Sequence, residues 1–213
     1  MIKRVLCFGD SNTWGYIPGT GERFEYSKRW TGILANSLEG KYSILEEGLN
    51  GRTIADDDPL HPGRNGLKYL LPCMESHKPF DIIIIFLGTN DLKYYFSNSI
   101  QRISTNMQKM IQSIKNGQYG YHDKIPDIIL LPVPHTFDNV MINSSFRDSR
   151  EKSISLTREY QNISRIMHCH FLDITNKIKV SKIDGIHLNE KNHFKLASLL
   201  FKKINELELD SKN

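Results

Sequence analysis

The sequence predicts a doubly wound α/β fold, a three-layer α/β/α sandwich built on a five-stranded parallel sheet, and three features lead to it. Five short apolar runs recur along the chain, at residues 4–8, 43–47, 81–87, 127–131 and 169–172. Segments of helical character lie between and after them, at 27–38, 67–77, 100–114, 153–167 and 190–207; β-α-β-α alternation marks a parallel sheet with helices on its faces. The run Ile82-Ile83-Ile84-Ile85-Phe86-Leu87 is continuously apolar rather than alternating. A strand covered on both faces has that pattern, so this run belongs in the centre of the sheet.

Taken in order, the first run, Arg4-Val5-Leu6-Cys7-Phe8, ends in Gly9-Asp10-Ser11-Asn12, and the second leads into Gly48-Leu49-Asn50-Gly51-Arg52-Thr53. The central run ends in Gly88-Thr89-Asn90-Asp91, the fourth in Pro132-Val133-Pro134. After the fifth comes a loop carrying Asp184-Gly185-Ile186-His187. The last helix places Phe194, Ala197, Leu200, Phe201, Ile204 and Leu207 on one face, with Asn189 as its N-cap. No repeat, low-complexity stretch or composition shift divides the chain, which reads as a single domain over residues 1–213. A chain of 213 residues is long enough to bury a core without disulfides or a structural metal.

Composition excludes several classes. With 39% hydrophobic and 24% charged residues the chain is neither disordered nor collagen-like. Its net charge of +4 is spread along the chain, which gives no basis for a nucleic-acid partner. Three cysteines, Cys7, Cys73 and Cys169, cannot all pair with one another and form no C-x-x-C, as suits a reducing, cytoplasmic compartment. The apolar run near Met1 is too short for a signal peptide, and no run is long enough to insert in a membrane.

In a doubly wound sheet, ligands bind beyond the carboxyl ends of the strands, so the residues just after each run carry the chemistry. Ser11 sits at such an end, outside any G-x-S-x-G elbow or phosphate loop. A serine hydroxyl becomes nucleophilic when a base takes its proton and an acceptor orients that base. Asp184 and His187, three residues apart across a glycine, supply both. The Asn90 amide can donate to a developing oxyanion, and Gly51 offers a backbone N–H with no side chain in a ligand's way. Each block alone also reads as an ordinary turn or cap; together, at the ends of strands in one sheet, they point to acyl transfer.

These four blocks, Gly9-Asp10-Ser11-Asn12, Asn50-Gly51-Arg52-Thr53, Gly88-Thr89-Asn90-Asp91 and Asp184-Gly185-Ile186-His187, resemble in order the signature of the SGNH hydrolases, or GDSL-type esterases and lipases. The stretches 5–15, 29–34, 46–53 and 87–91, and Asp57-Asp58-Pro59 leading to Asn65-Gly66, look like the bacterial arylesterase and acyltransferase branch. Asn12 departs from the leucine that the GDSL name implies. The resemblance implies a flavodoxin-like SGNH hydrolase fold. It also implies Ser11 as nucleophile, His187 as general base then acid, Asp184 as the orienting carboxylate, and an oxyanion hole from the Ser11 and Gly51 N–H groups and the Asn90 amide. Asp10, Asn12 and Trp14, beside the nucleophile, are expected to contact substrate. The partner is a small-molecule ester and no cofactor is required; a homo-oligomer stays open. The leading activity is hydrolysis of short-chain aryl, alkyl or acetyl esters through an acyl-serine, with acyl transfer to an alcohol or peroxide as a further capacity. A carbohydrate O-acetylesterase and a catalytically silent binding module are the alternatives.

Other groups read blandly. His168-Cys169-His170 has the alternation of a metal pair but lacks a third ligand nearby, so no metal is assigned. Asp56-Asp57-Asp58 lacks calcium-loop spacing and reads as a solvated turn. Trp14, Tyr16, Tyr94, Tyr95 and Phe96 fit an acyl or aryl pocket, core packing or an oligomer surface equally well, and His135 sits after the fourth run on the rim.

Overall fold

A computed structural model describes residues 2–137 and 144–210. Strands β1 (Lys3–Gly9), β2 (Tyr42–Gly48), β3 (Ile82–Phe86), β4 (Asp127–Leu130) and β5 (His170–Phe171) form one sheet in the order β2-β1-β3-β4-β5, and every pair is parallel. The chain moves from β1 outward to β2, then returns past β1 to β3, so the winding reverses between β1 and β3. Ligands gather at that reversal in sheets of this kind. The turns that leave β1 and β3 carry Ser11 and Asn90.

Alternate side chains of the sheet feed two cores. Leu6, Phe8, Ile83, Ile85, Ile128 and Leu130 pack with residues of α3 (Gly66–His77), α4 (Ile100–Asn116) and α5 (Ser149–Ile166). Val5, Cys7, Ile82, Ile84, Phe86 and Ile129 pack on the other face with α2 (Trp30–Ser37) and α6 (Glu190–Asp210). All five β3 side chains are buried. Each contributes about 1.5–3 kcal/mol relative to exposure, which explains the unbroken apolar run.

The fold departs from the expected elements in four places. The helix expected over 27–38 is split: residues Tyr26–Lys28 form a 3-10 turn, Arg29 is extended, and α2 starts at Trp30. The Arg29 guanidinium is drawn to Glu46, 3.4 Å away, and over the Tyr26 ring. The fifth strand shrinks to His170–Phe171, an edge paired only with β4. Helix α5 begins earlier, at Ser149, whose hydroxyl meets that of Thr136 at 2.7 Å. On α6, Asn189 caps as expected, accepting from the Asn192 N–H at 3.0 Å. Phe194, however, is 61% exposed, and the buried stripe runs through His193, Leu196, Ala197, Leu200 and Ile204. Ala197, Leu200, Ile204 and Leu207 of the expected face are buried and Phe201 packs against them; at the start of the helix His193 takes the inward position in place of Phe194.

Of the aspartate triplet only Asp57 is solvated; Asp56 and Asp58 are turned inward. Asp56 accepts from Asn98, Asn106 and the Arg102 guanidinium (2.6 Å), tying the loop after β2 to α4. Asp58 is buried, accepting from Leu60 and His61 N–H groups and from the Tyr95 hydroxyl at 3.0 Å, with the Lys93 ammonium at 3.4 Å. Burial works against both charges, but these donors hold both carboxyls below the usual range.

Candidate active site

The close approach of two strands makes glycine necessary at the end of β1. A Cβ on Gly9 would lie 2.0 Å from Thr13 Oγ1 and 2.8 Å from the Phe86 carbonyl oxygen. The chain then turns into the single helical turn α1 (Ser11–Trp14), capped by Asp10, whose carboxylate accepts from the Asn12 N–H at 2.9 Å. Ser11 opens this turn at the carboxyl end of β1 and retains 5% exposure.

The loop before α6 brings its partners. Gly185 has φ +74°, in the left-handed region that favours glycine. The loop thus curls back so that Asp184 Oδ1 accepts from the Ile186 and His187 N–H groups at 3.1 and 3.0 Å. Asp184 Oδ2 faces His187 Nδ1 at 2.8 Å, and His187 Nε2 faces Ser11 Oγ at 2.9 Å. An ionised carboxylate can only accept, so Nδ1 carries the imidazole proton and Nε2 accepts from the serine hydroxyl. Burial pushes the Asp184 carboxyl up, but the hydrogen bonds from the His187 ring and from the backbone outweigh it and hold the carboxyl below the usual range. The Tyr16 ring stacks on the imidazole at 4.2 Å and 25°, fixing the plane in which it sits.

Asp10 and Asn12 are turned inward rather than toward an open cleft, each about 1% exposed. The Asn12 amide bridges the two halves of the site: its Oδ1 accepts from the Leu188 N–H at 2.9 Å and its Nδ2 donates to the Ile186 carbonyl at 3.4 Å. A leucine there could make neither bond, so the departure from the GDSL pattern is a clasp between the serine turn and the histidine loop. Trp14 is half-buried, with the Arg23 guanidinium 5.0 Å from its ring.

Asn90 and Gly51 stand where the turns after β3 and β2 meet. Asn90 Nδ2 donates to the Arg52 carbonyl at 3.0 Å, which orients the amide and leaves its second N–H. Among the described residues, no protein group accepts from the Ser11 or Gly51 backbone N–H. Arg52, which sequence reasoning passed over in favour of its neighbour Gly51, is buried and donates to the Gly9 and Glu47 carbonyls, binding the ends of β1 and β2. Its only sequence signal is a cation following a glycine turn. His193 was also missed: it is fully buried, accepts from the Trp30 N–H at 3.3 Å, and burial, with the nearby His187 and Arg29, lowers its pKa to about 3. Trp30 Nε1 in turn donates to the Asn12 carbonyl at 3.1 Å, so a neutral His193 backs the serine turn. His135 lies against Thr157 of α5 at 3.4 Å, and His170 lies 3.5 Å from Asp127.

Asp91 gives the site a pH signature. Burial, helped by the charges of Asp56 and Asp10, raises its pKa from 3.8 to about 7, against the bond it accepts from the Ile54 N–H. A raised acid pKa means that the native state holds this proton more tightly than the unfolded chain. The contribution is therefore full below pH 3.8 and is lost as pH rises toward about 7. Asp91→Asn keeps an acceptor for Ile54 and removes the charge. Its Tm relative to the parent is expected to climb between those two pH values, and a difference that stays flat with pH would contradict this.

The family model described as GDSL-like lipase/acylhydrolase matches residues 7–193. The native aryl esterase of M. smegmatis is 34% identical over 96% of this chain and 99% of that one, with a TM-score of 0.90. Est24, a carbohydrate acetylesterase from Sinorhizobium meliloti, gives 34% identity, the same coverage of 96% and 99%, and a TM-score of 0.90. A lipase/acylhydrolase from Enterococcus faecalis, 18% identical over 95% of each chain with a TM-score of 0.70, shares the fold. No curated protein sequence matches. With a serine, a histidine and an aspartate joined at the reversal point of the sheet, and the family pattern spanning nearly its whole length, the chain belongs to the GDSL-like lipase/acylhydrolase family and is a carboxylic ester hydrolase.

Proposed function

We propose that Ser11 is the nucleophile of a single catalytic domain hydrolysing short-chain aryl and alkyl esters, with His187 and Asp184 completing the triad. The observation that carries this reading is the continuous chain from Ser11 Oγ through His187 to Asp184, at 2.9 and 2.8 Å. Ser11 Oγ attacks the ester carbonyl while Nε2 takes its proton. The charge that develops on the carbonyl oxygen is met by the Ser11 and Gly51 N–H groups and the Asn90 amide. Collapse returns the proton to the departing alcohol and leaves an acyl-serine. Water, activated by the same imidazole, releases the acid; an alcohol in its place gives acyl transfer. Asp10 and Asn12 hold this geometry rather than the substrate, and Trp14 and Tyr16 supply aromatic surface beside it. No described helix is long and apolar enough to cross a membrane; Cys7, Cys73 and Cys169, all free thiols, support a cytoplasmic setting.

Asn90→Ala separates the oxyanion hole from the triad. One such donor contributes about 10²–10³ in rate, roughly 2.7–4 kcal/mol, and the loss falls on kcat because the charge exists only in the transition state. The lost bond to the Arg52 carbonyl costs about 0.5–1.5 kcal/mol of stability, so the variant still melts cooperatively. A folded variant with parental kcat would remove Asn90 from the oxyanion hole.

The likeness to Est24 supports a second reading, deacetylation of carbohydrates. Comparing kcat/KM for acetylated sugars with that for aryl and alkyl acetates decides between them. The aromatic surroundings of His187 favour the aryl ester, and a strong preference for acetyl sugars would overturn that choice.

A further inference from the structure

Glu47, Cys73 and His77 meet at the β2 edge of the sheet, apart from the serine, and the chemistry described above uses none of them. Cys73 and His77 are one helical turn apart on α3 and so share a face. Glu47 is the penultimate residue of β2 and reaches them from the sheet. One donor atom from each, a sulfur, an imidazole nitrogen and a carboxylate oxygen, lies within 4.8 Å of the other two. Tetrahedral zinc, with bonds of roughly 2.0–2.3 Å, needs such donors about 3.5 Å apart, so small side-chain rotations close the trio.

The surroundings are those of a supported site. The Tyr69 hydroxyl lies beside the Glu47 carboxylate, and the Arg52 guanidinium stands 4.0 Å from Glu47 Oε2. The Cys73 thiol is buried beside the same carboxylate. The end of α3 is pinned by Arg4, which donates to the His77 carbonyl at 2.6 Å. Neighbouring groups thus flank the Glu47 carboxylate and fix the end of the helix that carries His77, the kind of outer support that orients metal ligands. The donor set also selects among cations: thiolate with imidazole favours zinc over magnesium or calcium, which take oxygen ligands.

We propose that Glu47, Cys73 and His77 bind zinc, with water in the fourth position. Binding forms a zinc–sulfur bond and releases the thiol proton to solvent, with no change of oxidation state. The ion would brace β2 against α3 without entering ester hydrolysis.

The test is titration of the full, reduced, chelator-treated chain with Co²⁺, followed by displacement with Zn²⁺. A saturable thiolate-to-cobalt charge-transfer band, displaced by Zn²⁺ and accompanied by a Zn²⁺-dependent rise in Tm, is expected. Cys73→Ser should lose the band while Cys169→Ser keeps it. Tyr69→Phe, which removes only the support of the carboxylate, should weaken binding about 10–100-fold, and His77→Ala should weaken it at least as much. Absence of the band in the folded parent, its persistence in Cys73→Ser, or parental affinity in His77→Ala would overturn the assignment. The His77 variant decides the matter if Cys73→Ser does not fold.

Discussion

Ser11→Ala is expected to lower kcat for a chromogenic acetate ester by on the order of 10⁶, the scale on which serine hydrolases lose turnover with their nucleophile. The hydroxyl is the only atom removed, and its one hydrogen-bond partner among the described residues is His187 Nε2. The turn that carries it is held by other groups: the Asp10 cap, the Asn12 clasp to the 186–188 loop and the Trp30 indole bond. The melt should therefore be parental. A residual rate above water is expected, since the oxyanion donors and the binding surface remain. Hydrolysis within tenfold of the parent, in a folded variant, would place the nucleophile elsewhere.

Asp184→Asn is expected to cost about 10⁴ in kcat, by changing a proton's address rather than removing a group. The asparagine keeps an oxygen to accept from the Ile186 and His187 N–H groups, so the loop holds its shape. Its NH₂ would donate to His187 Nδ1, driving the imidazole proton onto Nε2, where it can no longer accept from Ser11. KM should change little. Stability has its own sign. The native pKa of Asp184 is lowered, so its ionised form stabilises the fold above the usual carboxylate range, and that support is lost as pH falls through the lowered value. The variant should thus be somewhat less stable than the parent at neutral pH, and the two should converge in acid. A parental kcat would show that the carboxylate does not set the tautomer.

The sheet was legible because its strands are short and its centre is buried on both faces; Ile82–Phe86 could pack nowhere else. The blocks around Ser11, Asn90 and His187 were legible because a parallel sheet exposes its chemistry at strand ends, and each follows a strand or precedes a helix. Long-range pairing was not. The local Leu60 and His61 N–H bonds to Asp58 would suit a solvated turn equally well; the groups that bury it, Lys93 and Tyr95, lie 35 and 37 residues away. Arg52 and His193 were passed over for the same reason: burial of a charged or titratable side chain is decided by what packs on it. Asn12 is instructive in another way. Read from sequence it sits beside the nucleophile and so beside substrate, yet a polar group one residue along a helical turn points roughly 100° away, here into the histidine loop. Phe194 fails on the same geometry, its neighbour His193 having taken the buried position.

The central claim, that Ser11 is activated by His187 and Asp184, is tested most directly by covalent labelling. An organophosphonate or sulfonyl fluoride should inactivate the protein with one adduct per chain, located by mass spectrometry on Ser11, and Asp184→Asn should slow that labelling along with turnover. An adduct on another residue, or full inactivation with Ser11 unmodified, would contradict it.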